Sequence, residues 1–194
     1  MQPEKKPSGS KKPRGKEAVV DAVQRAAAEL FAERGPAATS SREIAERAGV
    51  NYGLIHRHFG SREELIRTVM TRMAVEFRES FGTAIASGKS PFQAASEHPA
   101  YARALARAAL DGLDVTEVQS ENPLISNVLS LLATTRGDGE ITIDDRIAVA
   151  MLSLSVLGWA VFGPFVRDAV QLNEVEDAEV AERIEAMVSR LLSG

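Results

Sequence analysis

The sequence predicts an all-α chain in two parts, an N-terminal three-helix domain with a helix-turn-helix and a larger C-terminal helical domain. Three observations lead there. Apolar residues recur at helical spacing from Val20 onward, and no stretch reads as a strand. A compact run, Thr39 to Leu65, carries two capping patterns around a glycine turn. The charge is split, with 13 Lys/Arg against 9 Asp/Glu in residues 1–67 and 10 against 18 in residues 68–194. An acidic chain with a basic front end is built to present that front to a polyanion.

Residues 1–15 (MQPEKKPSGSKKPRG) are rich in Pro, Gly, Ser and Lys and cannot build a core, so a disordered basic arm is expected. Lys11, Lys12 and Arg14, with Lys16 behind them, are placed to lie on phosphates or in a minor groove. An ordinary solvated tail is the plainer alternative. A first helix, Lys16 to Arg34, carries Val20, Val23, Ala27, Leu30 and Phe31 as its buried stripe and stops at Gly35-Pro36.

Ser40 then caps a second helix, with Glu43 reaching back to complete a capping box. Ile44, Ala45 and Ala48 face inward, and Gly49 ends the helix at no steric cost. Asn51 caps the third helix, Tyr52 to His58. Ile55 and Phe59 share its inner face, which leaves Tyr52, Gly53, His56 and Arg57 outside. This is the helix-turn-helix pattern of DNA-binding domains, assigned to residues 16–61. By itself the pattern is weak, because short α-hairpins with glycine turns are common.

Ser61 and Glu64 repeat the capping box and open a helix from Arg62 to about Ala86. Leu65, Val69, Met73, Phe77 and Phe81 form one seam along it. About 25 residues span roughly 37 Å, enough for a rod joining the first domain to the second, residues 62–194. Further helices are expected at Pro99–Leu110, Leu124–Thr135, from Asp144 onward, and Asp177–Leu192, with a turn over 135–140. Val180, Ile184, Met187, Val188 and Leu191 share a face of the last one. Ile147 to Val166 is 20 residues without a charge. That length spans a bilayer, but Ser153, Ser155, Gly158, Gly163 and Pro164 interrupt it. A helix buried between its own domain and a partner subunit fits better than a membrane span.

Enzymatic constellations are thin. The chain has no Cys and only His56, His58 and His98. It has no HExxH, phosphate-cradling glycine loop or GxSxG, so neither a metal nor a cofactor is expected. The polar N-terminus lacks an apolar signal region, which makes the cytoplasm the default location. His98, Tyr101, Trp159 and Phe162, with Phe92, are candidates to line a ligand cavity, although core packing explains the aromatics equally well.

The segments AAAELFAERG, TSSREIAERAGV and GLIHRHFGSREEL, with their spacing, resemble the N-terminal domain of the tetracycline-repressor (TetR) family of one-component transcriptional regulators. The resemblance covers Val20 to Leu65. It departs at His56, where the family usually has a tyrosine that holds a DNA phosphate. The resemblance implies a repressor that binds a near-palindromic double-stranded operator as a homodimer. Its last two helices would form a four-helix dimer interface, and a small-molecule effector would shift the rod helices. For DNA, Asn51, Tyr52 and Gly53 are best placed for base edges and Arg42 for a base from the preceding helix. Ser40, His56, Arg57 and Arg62 are assigned to phosphates. Two other classes stay open: an architectural DNA-binding protein without an effector, and a helical enzyme or adaptor with a merely structural helix-turn-helix.

Overall fold

The computed structural model describes residues 13, 15–118, 123–136, 140–176, 178–180, 182–184 and 186–187. The described residues form helices joined by turns and loops, without a strand among them. The elements are α1 (Lys16–Arg34), α2 (Ser41–Ala48), α3 (Tyr52–Phe59), α4 (Arg62–Ala86), α5 (Pro91–Glu97), α6 (Ala100–Leu110), α7 (Val115–Val118), α8 (Pro123–Arg136) and α9 (Ile143–Ala169).

Each early helix begins where its local chemistry says it should. Ser40 and Glu43 form the expected capping box, and Gly49 closes α2 in the left-handed conformation at φ 68°. Asn51 accepts a hydrogen bond from the Gly53 amide, and Ser61 one from the Glu64 amide. The apolar faces then meet: Val23, Leu30 and Phe31 of α1, Ile44 of α2, Ile55 and Phe59 of α3, and Leu65 and Val69 of α4 are buried together. This core continues without a break along α4, through Met73 and Phe77, to Tyr101 of α6 and to Val156 and Ala160 of α9. The α4 seam thus joins the helix-turn-helix to the rest of the molecule by packing as well as by chain connection.

A second tie runs between α6 and the end of α1. The Arg107 guanidinium donates to the Ala32 carbonyl, one of the orphan acceptors of the last turn of α1. Gly35, at φ 90°, lets the chains approach there; a Cβ on it would lie 2.9 Å from Cβ of Arg107.

The C-terminal part has two short helices that periodicity does not announce, α5 and the four-residue α7. Ser90 and Gln93 form a capping box around Pro91, opening the seven-residue α5. Pro99 then caps α6 instead of starting it. Thr142 and Asp145 box the start of α9, which runs unbroken through Pro164. By length and composition α9 could cross a membrane, with a mean hydropathy of 1.9 over its most apolar window. Of the expected last helix, residues 178–180, 182–184 and 186–187 are helical, with Val180 buried, Ile184 half-buried and Met187 exposed. Val188 and Leu191, residues 137–139 of the expected turn, and the arm's Lys11, Lys12 and Arg14 lie outside the described residues.

Candidate nucleic-acid interface

The α2 N-terminus is organised by Ser40. Its amide and hydroxyl both donate to Glu43 Oε2, at 2.8 and 2.7 Å, and its Oγ accepts from the Glu43 amide at 3.2 Å. The Ser40 donors hold the Glu43 carboxyl below the usual carboxylate range, helped by Arg34 at 3.0 Å. The Ser40 hydroxyl is therefore already committed as donor and acceptor. The amides of Ser41 and Arg42, in the first turn, have no carbonyl inside α2 to serve. They point out of the positive end of the helix, where an anionic oxygen is favoured. Sequence reasoning passed over Ser41, whose contribution is an amide and not a side chain.

In α3 the Asn51 cap is short, 2.8 Å from Oδ1 to the Gly53 amide. One Oδ1 lone pair is thus spent on the cap, which leaves the Nδ2 donors as the uncommitted groups of Asn51. Gly53 has a local reason to be glycine, since a Cβ there would sit 3.3 Å from Asn51 Oδ1. Tyr52 is 53% exposed, and Arg57, further along the helix, is exposed as well. His56 lies 2.6 Å from the Gly60 carbonyl through Nδ1. A carbonyl only accepts, so Nδ1 carries the proton. Neutral His56 then presents an acceptor at Nε2, and only the imidazolium donates to a phosphate.

Arg62 occupies a different position from the one its spacing suggests. Its guanidinium donates to the carbonyls of Thr39 at 2.5 Å, Pro36 at 2.7 Å and Ala37 at 3.2 Å. It clamps the loop between α1 and α2 onto the start of α4. Thr39, buried, donates its own hydroxyl to Gly35 O at 2.8 Å. The loop, the α2 N-terminus, Tyr52 and Arg62 together line an open cleft of about 510 Å³.

Electrostatics single out the same surface. Arg25, Arg34, Arg47, Arg67 and Arg72 are all paired with carboxylates. Among the described residues up to Arg67, the cations held by neither a carboxylate nor a carbonyl are Lys16, Arg42 and Arg57. Arg57 lies on α3 itself, and Arg42 lines the cleft that Tyr52 also borders.

The ligand-cavity candidates do not converge. Tyr101 is buried, and burial pushes its phenol up to about 12. It packs on Phe77, with 5.4 Å between ring centroids, and lines an apolar cavity of about 140 Å³. Trp159 stands edge-on to Phe92 at 6.3 Å and lines a separate cavity of about 520 Å³. His98 is exposed at the end of α5, in a surface cleft that Tyr101 also borders. Phe162 is 58% exposed on the outer side of α9 and lines none of these spaces. Helical period explains it: 162 follows 154 and 158 on the outward stripe, whereas Trp159 and Gly163 turn inward.

Comparison with known proteins agrees with this geometry. The family model described as bacterial regulatory proteins, tetR family, matches residues 24–69. The chain is 37% identical over 186 residues to the HTH-type transcriptional repressor Rv3405c of Mycobacterium tuberculosis, covering 94% of this chain and 93% of that protein. The HTH-type transcriptional repressor KstR2 of Rhodococcus jostii is 37% identical over 62 residues, 32% of this chain and 30% of that one. Among solved structures, a TetR-like transcriptional regulator from Rhodococcus sp. RHA1 superposes with a TM-score of 0.58 at 21% identity, covering 94% of this chain and 98% of that one. HlyIIR, a hemolysin II transcriptional regulator, gives 0.54 at 20% identity, covering 81% and 95%. Those structural likenesses speak for the fold, and the Rv3405c match extends along nearly the whole chain. The chain belongs to the tetR family of bacterial regulatory proteins and is a DNA-binding transcriptional regulator.

Proposed function

We propose that this regulator is a repressor that binds a near-palindromic operator as a homodimer and leaves it when a small molecule enters its C-terminal domain. Residues 16–61 act as the DNA-binding head and residues 62–194 as the ligand-binding and dimerisation body. The observation that carries the two-headed reading is the bare outer stripe of α9. Ile143, Ile147, Met151, Leu154, Phe162 and Phe165 recur at intervals of three, four or eight residues, with Leu154 67% and Phe165 72% exposed. An apolar stripe of this length on one helix is a surface that water leaves uncovered at a cost. A second copy of the same helix, related by a two-fold axis, covers it with itself. The acidic start of α9 and its Ser, Gly and Pro residues favour that occupant over lipid.

On DNA, Tyr52 and the Asn51 amide nitrogen take base edges, with Arg42 reaching from α2 and Gly53 keeping the helix start close. The Ser41 and Arg42 amides at the turn organised by Ser40, together with Arg57 and the imidazolium of His56, hold phosphates. The arm residues Lys11, Lys12 and Arg14 add phosphate contacts. Repression is supported by the likeness to Rv3405c and KstR2, both HTH-type transcriptional repressors, and effector release by the cavities beside α4 and α9. Sequencing the duplex fragments selected by the purified protein tests the core of this reading. Two inverted half-sites about one helical turn apart are expected; a single half-site, or no preferred sequence, would refute it.

A further inference from the structure

The larger cavity lies between α5, the start of α6 and the second half of α9. At about 520 Å³ it falls within the roughly 300–1,000 Å³ of small-molecule sites. Its aromatic wall is Trp159, held by Phe92, whose ring meets the indole edge-on at 88°. Gly163 keeps this wall open, for a Cβ on it would already touch the indole at 3.5 Å from Nε1. Among the described residues nothing hydrogen-bonds the indole N–H.

The polar groups of the lining are unevenly committed. Glu97, the one carboxylate of the lining among the described residues, is clamped by Lys89 Nζ at 2.6 and 2.7 Å. The Arg167 guanidinium donates to the carbonyls of Leu172 and Val175 at 3.0 and 2.6 Å, which fixes the turn that carries Asn173 into the wall. Arg103 has no ion pair or side-chain hydrogen bond among the described residues. Arg103 therefore faces a carboxylate that is already neutralised, and two donors, Arg103 and the indole N–H, stand beside an aromatic surface. By contrast, the smaller cavity suits something benzene-sized, and only Tyr101 and Ser153 break its carbon lining.

From this arrangement we infer that the larger cavity binds an aromatic carboxylate. The ring lies against Trp159 and Phe92, and the carboxylate is held by Arg103 with the indole N–H as a second donor. The inference rests on the ligand-responsive reading only for its regulatory meaning, since binding itself is measured without DNA. Trp159 is the chain's one tryptophan, so intrinsic fluorescence reports directly on this wall.

Phenylacetate and 2-naphthoate are titrated into the full chain by fluorescence and calorimetry, beside phenylacetamide and 2-naphthamide, their neutral isosteres. The expected result is saturable binding of at least one acid, about tenfold or more tighter than its amide. Arg103→Gln should remove that preference by weakening the acid about tenfold and leaving the amide unchanged. Gly163→Leu should block both. Equal affinity for acid and amide, no saturable binding of either acid, or an Arg103→Gln variant that keeps the preference would overturn the inference. Mobility shifts with the same acids separate it from the regulatory reading. Acid binding that leaves the protein–DNA complex intact supports the site and refutes its use as an effector site. Release by some other compound, with neither acid bound, overturns the site and leaves effector control standing.

Discussion

Replacing Arg62 with alanine separates a structural clamp from a phosphate contact. In the structure one guanidinium serves three backbone carbonyls, those of Pro36, Ala37 and Thr39, 23 to 26 residues earlier in the chain. Hydrogen bonds from a charged donor contribute about 1.5–3 kcal/mol each, but three on one half-buried group are not additive. A loss of about 2–3 kcal/mol is expected. For a chain of this size that lowers Tm by about 5–10 °C. Thermal melts give the first number, and DNA titrations over a range of salt give the second. A clamp lowers Tm and weakens binding by loosening the loop that presents Ser41 and Arg42, yet the log–log salt slope stays as it was. A direct phosphate contact does the reverse, reducing the slope by about 0.9 with Tm unmoved. That second pattern would refute the reasoning. Arg62→Lys should recover only part of the loss, because an ammonium cannot span three carbonyls as the guanidinium fork does.

Tyr52→Ala should cost about 1–3 kcal/mol of discrimination between selected and random duplex, while Arg57→Ala should weaken both alike; an unchanged preference in the Tyr52 variant refutes its base-reading role. His56→Ala should weaken selected and random duplex alike, as the loss of a phosphate contact does; unchanged affinity for both refutes the contact. Ser40's donors hold Glu43 below the usual carboxylate range, so its stabilising contribution is complete above the unfolded value of about 4.3 and fades as pH falls through the lower folded value. Tm should therefore fall less steeply on the acid side in Glu43→Gln than in the wild type, and identical slopes would remove the capping box from the acid response.

The helix-turn-helix was legible in the sequence because its signals are local. Ser40 with Glu43, Gly49, Asn51 and Ser61 each specify a few residues of backbone, and the structure follows each of them; the reciprocal half of the expected Ser61–Glu64 box does not form, because the Glu64 carboxylate pairs with Arg67 at 2.7 Å instead. The same type of signal, Ser90 and Gln93 around Pro91, spelled out α5. It was passed over because seven residues are too few for a periodic stripe. What sequence could not reveal depends on distant partners. Nothing near Arg62 announces that carbonyls 23 to 26 residues back will take its donors. Nor does the apolar run show which aromatics face a cavity, although the intervals joining Ile147, Met151, Leu154 and Phe162 would have moved Phe162 to the outer stripe. The imbalance between Arg103 and the Lys89-bound Glu97 appears only once α5, α6 and α9 are assembled.

The bare α9 stripe gives the two-headed reading its most direct test. Leu154 is 67% exposed on a single chain, so Leu154→Lys leaves the packing within one subunit alone. Ile184→Glu is less clean, because Ile184 is half-buried against the subunit's own core. In a dimer seam the lysine is buried without a partner and should cost several kcal/mol of association. One recognition helix reads too few base pairs for selectivity, and two heads about 34–36 Å apart are needed to engage successive major grooves. The decisive measurement is sedimentation of Leu154→Lys beside titration of the selected operator. A monomer with wild-type helicity that has lost specific binding is the predicted result; a variant that remains dimeric, or a monomer that binds the operator at wild-type affinity, would contradict it.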